Sequence, residues 1–181
     1  MILVVAATEA ELAGADGAET LTCGLGPVEA AVSTARALAE RRPSAVVNVG
    51  LAGATGIDPP ALVLGSEARY CDIAGDANAT LARVDAVAPD RHLFEAVRAA
   101  LPEALVRPIG TTAFVGRGVG CEVEAMEGFA VLRAAQLAGV PAVEVRSISN
   151  AVSELDRTRW RFDDALEALA AALPRLLTSL A

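Results

Sequence analysis

The sequence predicts an α/β fold: a single three-layer domain over residues 1–181, with a largely buried central sheet flanked by helices. Apolar, β-branched-rich runs alternate with segments of helical length and composition. The runs stay apolar instead of alternating with polar residues, as strands covered on both faces do. No fixed-period repeat, low-complexity tract or linker divides the chain.

Taken in order, the candidate strands are 2–7, 45–49, 62–70, 108–115 and 142–148, each bounded by turn residues. The candidate helices are 27–42, 91–101, 122–138 and 163–180. Pro27 suits a first helical position, and Gly139 followed by Pro141 stops the third helix. Residues 72–90 mix Gly75, Asn78, Pro89 and acidic residues without periodicity and read as a surface connection. The closing helix is amphipathic enough to pack on the sheet.

Hydrophobic residues make up 54% of the chain, yet no apolar run approaches the roughly 20 residues of a membrane span. At this length folding buries about 70% of the extended chain's surface, so a core forms without staples. Met1–Val5 lacks a basic flank, and Glu9 and Glu11 interrupt it before a signal-peptide core could develop, so a cytoplasmic protein is expected. Cys23, Cys71 and Cys121 are odd in number, widely spaced and without any CxxC, which suggests neither a disulfide framework nor a zinc site. A net charge of −8 repels nucleic acid. The single histidine, His92, reads as part of a helix start, so a triad mechanism lacks its usual base.

In open α/β sheets ligands bind beyond the carboxyl ends of strands. Polar or glycine-rich segments there are Thr8-Glu9-Ala10-Glu11, Asn48-Val49-Gly50-Leu51-Ala52-Gly53 and Ser149-Asn150, with Met126-Glu127-Gly128 on a helix. Gly24-Leu25-Gly26-Pro27 is a further candidate, either an anion cradle at a helix start or a tight turn. Singly, each carboxylate also reads as a helix cap, each glycine pair as a turn and Met126 as core filler.

Jointly and in this order, these segments, with Glu67-Ala68-Arg69-Tyr70 and Arg146-Ser147-Ile148-Ser149-Asn150, resemble the superfamily of purine nucleoside phosphorylases and methylthioadenosine/S-adenosylhomocysteine nucleosidases. The resemblance implies a nucleoside phosphorylase-like fold with a central mixed sheet and no metal or organic cofactor. It places Glu11 at the nucleosidases' catalytic glutamate, the group that orients and deprotonates water, with Glu9 the nearby competitor. It places Glu127 on the ribose 2′- and 3′-hydroxyls, Met126 against the sugar, and Phe114 and Val115 at the purine pocket. Leu51 and Gly53 complete the substrate-binding set.

Asn48 and Leu51 stand where hexameric phosphorylases carry an arginine and a hydroxyl residue, which favours water over phosphate as nucleophile. Asn150 stands where methylthioadenosine nucleosidases carry aspartate. An amide supplies no net proton but pairs donor and acceptor with a 6-oxopurine. These features, with Asp156-Arg157-Thr158-Arg159-Trp160, are similar to the futalosine hydrolase branch, which releases hypoxanthine during menaquinone biosynthesis. The alternatives are a methylthioadenosine-type nucleosidase, a phosphorylase, and a non-catalytic nucleoside-binding protein. A homodimer or larger assembly is expected from the resemblance and from the chain's hydrophobicity. The stretch 116–121 is short for the superfamily and bears on how the base pocket is framed.

Overall fold

The structure is a computed structural model that describes residues 1–73, 84–114, 116 and 121–181. Its strands are β1 (Ile2–Ala6), β2 (Glu19–Thr22), β3 (Ala45–Ala54), β4 (Leu62–Tyr70), β5 (Ala86–Val87), β6 (Leu105–Thr111), β7 (Val123–Ala125) and β8 (Ala142–Ala151). The helices are α1 (Pro27–Arg41), α2 (Arg91–Ala100), α3 (Gly128–Leu137) and α4 (Phe162–Ser179).

These eight strands of the described residues join one mixed sheet. The first half of β3 lies between β1 and β8, parallel to both. Beyond the end of β1, the same edge of β3 pairs antiparallel with β7 at Gly53 and Ala54. The pairings then close on themselves, because β7 joins β6, β6 joins β4, and β4 joins β8. The sheet is thus open at one end and curls into a five-stranded barrel at the other.

The core follows that geometry in three parts. Leu3, Val5, Val46 and Ala142 face α1 and α3. Val4, Val47, Val143 and Val145 point to the opposite face, under α4 and α2, where Leu169, Leu173 and Val97 meet them. Ala52, Ala54, Val63, Ile109, Val123 and Ile148 come from all five barrel strands and fill its interior. The period-two alternation that sends Val46 one way and Val47 the other is the strand geometry predicted for a sheet covered on both faces.

Helix boundaries agree with the sequence reading at α1, α2 and α4 to within a residue or two. Four local expectations are corrected. The helix expected over 122–138 begins only at Gly128, and its first part is the strand β7, too short at three residues to show a period. The strand expected over 108–115 runs from Leu105 to Thr111, because Pro108 sits inside it at a register irregularity. The Gly50–Gly53 stretch is no turn, since β3 continues through it to Ala54. Two short strands, β2 and β5, lie in stretches not read as strands. Val115 and residues 117–120, which include most of the short stretch noted above, lie outside the described residues, as do residues 74–83.

Candidate active site

The site grows from one face of the paired strands β3 and β8. Along that face β3 presents Val46, Asn48, Gly50, Ala52 and Ala54, and β8 presents Ala142, Glu144, Arg146 and Ile148. Register sets Asn48 opposite Glu144 and Gly50 opposite Arg146. A polar band therefore crosses the sheet where the helix-covered part gives way to the barrel. Glu144 and Arg146 were not singled out for chemistry from the sequence. Two charged residues at i and i+2 in an otherwise apolar strand were the available signal, because such charges rarely lie buried unless paired.

Arg146 is fully buried, and every nitrogen of its guanidinium has a partner. Nε donates to Glu144 Oε1 at 2.8 Å, and Nη1 to Glu127 Oε2 at 3.4 Å. With the Asn48 amide in the orientation that satisfies both its ends, Nη2 donates to its oxygen at 2.9 Å while its nitrogen donates to the Val5 carbonyl at 3.2 Å. A β-carbon at Gly50 would collide with Arg146 Nη1 and lie 2.7 Å from Glu11 Oε1, so cation and carboxylate face each other across a bare α-carbon. Burial works against the guanidinium's charge, but Glu144, Glu127 and Glu11 overcome it and raise its pKa further.

Glu11 sits in a short 3-10 turn just after β1 and is buried. Oε1 accepts from the Leu51 amide at 2.8 Å; Oε2 accepts from the Thr8 amide at 2.9 Å and the Thr8 hydroxyl at 2.8 Å. These bonds fix the carboxylate in place and leave acceptor capacity on Oε1. Glu9, its competitor, is exposed at the start of the same turn and makes no capping bond.

Glu127, also buried, caps α3 by position and accepts from the Gly26 amide at 3.0 Å. The glycine turn before α1 therefore does cradle an anion at a helix start, and the anion is the protein's own carboxylate. Glu144 lies against the first residue of α3, where any β-carbon on Gly128 would collide with both its oxygens. Its Oε2 has no hydrogen-bond partner among the described residues. Burial raises the Glu144 carboxyl above its ordinary range, and Arg146 offsets this only in part.

Met126 is half-buried between β7 and α3, beside Glu127. Asn150, 3% exposed, lies inside β8 opposite Gly53, where a bulge shifts the register. Its oxygen accepts from Ser149 Oγ at 2.8 Å and its nitrogen donates to the Ala151 carbonyl at 3.0 Å. One amide hydrogen and part of the oxygen's acceptor capacity remain. Phe114 is 59% exposed, and the adjoining Gly116 faces the Val152 carbonyl just past β8. Trp160 donates from its indole to the Glu154 carbonyl at 3.0 Å and packs on Phe162, the first residue of α4, with Arg157 stacked over its ring. Glu11 and Glu127 thus converge on Arg146, with Leu51 contributing its backbone amide to Glu11, whereas Gly53 and Asn150 form a second group further along the same two strands.

A futalosine hydrolase from Streptomyces coelicolor is 36% identical over 89% of this chain and 79% of its own length. The chain belongs to the futalosine hydrolase family. As such it is an enzyme, a hydrolase of nucleoside N-glycosidic bonds. Residues 117–181 also match the phosphorylase superfamily. The fold is that of a Streptococcus pneumoniae MTA/SAH nucleosidase crystallised with 8-aminoadenine, with a TM-score of 0.84 at 20% identity over 98% of this chain and 99% of that one. A Helicobacter pylori structure described as a futalosine hydrolase mutant superposes with a TM-score of 0.82 at 18% identity, covering 99% of this chain and 97% of that one.

The raised Glu144 carboxyl gives a testable pH dependence. Between its unfolded value near 4.5 and its higher folded value the native state holds more protons, so stability falls as pH rises, by at most about 1.4 kcal/mol per pH unit. In Glu144→Gln this contribution is absent. Urea unfolding of both proteins at a series of pH values should show the wild type losing stability relative to the variant from about pH 4.5 upward; parallel curves would mean the carboxyl does not titrate there.

Proposed function

We propose that this enzyme hydrolyses futalosine, releasing hypoxanthine and dehypoxanthine futalosine, in the cytoplasm and in the service of menaquinone biosynthesis. The observation that carries the reading is the buried cluster in which Glu11, Glu127 and Glu144 face the single cation Arg146, all of whose nitrogens are engaged. Such a pocket repels a phosphate dianion and favours the positive charge that develops on a sugar as its glycosidic bond breaks. Water is therefore the nucleophile. Among the described residues, no helix is long and apolar enough to cross a membrane, which accords with the proposed location.

In this mechanism the free acceptor site on Glu11 Oε1 takes the proton of the attacking water. Thr8 and the Leu51 amide hold the carboxylate still, so little reorganisation is needed when the proton moves. Glu127, tied by one oxygen to Gly26 and only weakly to Arg146, keeps acceptor capacity for the two ribose hydroxyls. Met126 packs beside the sugar. Asn150 offers its remaining amide hydrogen and acceptor capacity to a 6-oxopurine, with Gly53 opposite it, and Phe114 is assigned to the purine side; Val115, assigned there with it, lies outside the described residues. As the bond breaks, the departing purine takes up a proton equivalent to the one Glu11 removed from water.

We further propose a homodimer. A groove of about 950 Å³ opens between α1 and α3, lined by apolar side chains that include Val28, Val32, Phe129 and Leu137. Val28, Val32 and Leu137 are 73%, 64% and 72% exposed, which is unusual for apolar residues grouped on one face. The groove also adjoins the site, since Pro27 on its wall follows the Gly26 amide that holds Glu127.

Chromatography of reactions with futalosine, inosine and methylthioadenosine, each with and without phosphate, tests the activity. Phosphate-independent hypoxanthine release from futalosine is expected; adenine release or phosphate dependence would replace the reading with a nucleosidase or a phosphorylase, and binding without turnover with a nucleoside-binding protein. Glu11→Gln should lower kcat by roughly 10²-fold or more while sparing ligand affinity, and wild-type-like turnover would remove Glu11 from the mechanism. Asn150→Asp should shift the ratio of rates toward 6-aminopurine nucleosides; an unchanged ratio would mean that Asn150 does not read the base. In sedimentation experiments Val32→Glu should turn a dimer into monomers, and a wild-type monomer would dismiss the assembly.

A further inference from the structure

Cys71 follows the last residue of β4, and Cys121 lies two residues before β7. Fifty positions apart in the chain, their sulfurs lie 2.8 Å from one another. The strand between them explains the contact. β6 runs between β4 and β7, and at Gly110 it has no side chain. A β-carbon there would lie 2.6 Å from Cys121 Sγ and 2.7 Å from Cys71 Sγ, so the sulfurs occupy the space that any other residue would fill. Disulfide bonding requires the sulfurs to close to about 2.05 Å, a movement of under 1 Å.

We propose that Cys71 and Cys121 form a reversible disulfide when the protein meets a low-molecular-weight disulfide. The Cys121 thiolate attacks the small disulfide, forms a mixed disulfide and expels one thiolate; the Cys71 thiolate then attacks the Cys121 sulfur and expels the second. Both protein thiols lose their protons to solvent or to the departing thiolates, the cysteines are oxidised by two electrons, and the small disulfide is reduced to two thiols. Cys121 acts first because it is the more exposed sulfur.

The surroundings of Cys71 fit that order. Burial first, and then the hydrogen bond and charge of Cys121, push its thiol up to about 12. In the reduced pair Cys71 is therefore protonated and inert. Capping Cys121 as a mixed disulfide removes the hydrogen bond between the two thiols, leaves burial as the main cause of the raised Cys71 thiol, and makes Cys71 the neighbour of an electrophilic sulfur. The bond would form beside the segment that carries Phe114. Asp72, next to Cys71, accepts from the Ala113 amide at 2.8 Å, and Glu124, three residues after Cys121, accepts from the Gly116 amide at 2.7 Å. A bridge between the two anchors holds the backbone on either side of Phe114.

The test exposes reduced wild-type protein to hydroxyethyl disulfide at pH 8, blocks remaining thiols with a maleimide and maps peptides without reduction. Expected are the loss of two blockable thiols, a peptide pair joined through Cys71 and Cys121, and full reversal by dithiothreitol. Cys23, whose thiol burial and Glu127 push up to about 12, serves as the thiol that stays unchanged. In Cys71→Ser the reaction should stop at a persistent hydroxyethyl adduct on Cys121. Wild-type protein in which both cysteines remain blockable, in which the adduct on Cys121 persists, or in which the link joins two subunits would overturn the proposal.

Discussion

The buried guanidinium of Arg146 is the constraint on which the rest of the site depends. An unpaired charge in a protein interior is strongly destabilising, so a cation at 0% exposure must be surrounded by partners held in position. Those partners come from separate parts of the fold. Glu144 is two residues away on the same strand, Asn48 is on β3, Glu127 stands at the start of α3, and Glu11 follows β1. Two of them are secured from behind by other elements: Thr8 and the Leu51 amide hold Glu11, and the Gly26 amide before α1 holds Glu127. The absence of side chains at Gly50 and Gly128 follows from the same packing, because a β-carbon at either would displace Arg146 or Glu144.

The cluster is poorly balanced as a structural ion pair, and the proposed mechanism uses that imbalance. Three carboxylates face one guanidinium, and one oxygen of Glu144 has no partner among the described residues. A pocket selected only for stability would replace such groups with apolar ones of similar volume. In the proposed mechanism the surplus negative charge is fixed before substrate arrives, so a sugar acquiring positive charge is stabilised without reorganisation. Arg146 limits the mutual repulsion of the carboxylates, and each of its nitrogens is already bonded to one of them or to Asn48. Preference for water over phosphate then rests on charge, in keeping with the absence of an arginine and a hydroxyl residue at Asn48 and Leu51.

Much of this arrangement was legible in the sequence, and the exceptions share a cause. The long apolar strands and the helices at 27–41, 91–100 and 162–179 carry strong periodicity or clear stop signals, and they lie where expected. β7, with three residues, is too short to show a period and was absorbed into the helix that follows it. Glycines at 50 and 53 suggest a turn locally, yet both lie in a strand, and at Gly50 the missing side chain leaves the space that Arg146 and Glu11 occupy. Glu11 and Glu127 were found through their neighbours in the chain. Glu144 and Arg146 were missed as chemistry because their meaning lies in the register between two strands and not in any short motif. The contact between Cys71 and Cys121 is invisible to spacing rules for the same reason, since only the order β4-β6-β7 brings them together.

Register also separates Asn150, the residue proposed to read the base, from those around Arg146. Up to Ala52, β3 and β8 pair in an unbroken ladder, which carries the polar band and then the apolar barrel lining. Between Ala52 and Gly53 the ladder slips by one residue, so that Asn150 stands opposite Gly53, where an unbroken ladder would have set it opposite Ala54. A bulge of this kind bends the strand and re-aims the side chains beyond it. The slip sets Asn150 against a residue with no side chain, and Ser149, at the slip, holds its amide oxygen. Arg146 and the apolar Ile148 lie on the other side of the slip. A substitution at position 150 therefore changes the hydrogen-bonding groups beyond the slip while leaving the carboxylates around Arg146 paired as before, and under the proposed function this lets one scaffold keep its sugar chemistry and vary the purine it releases.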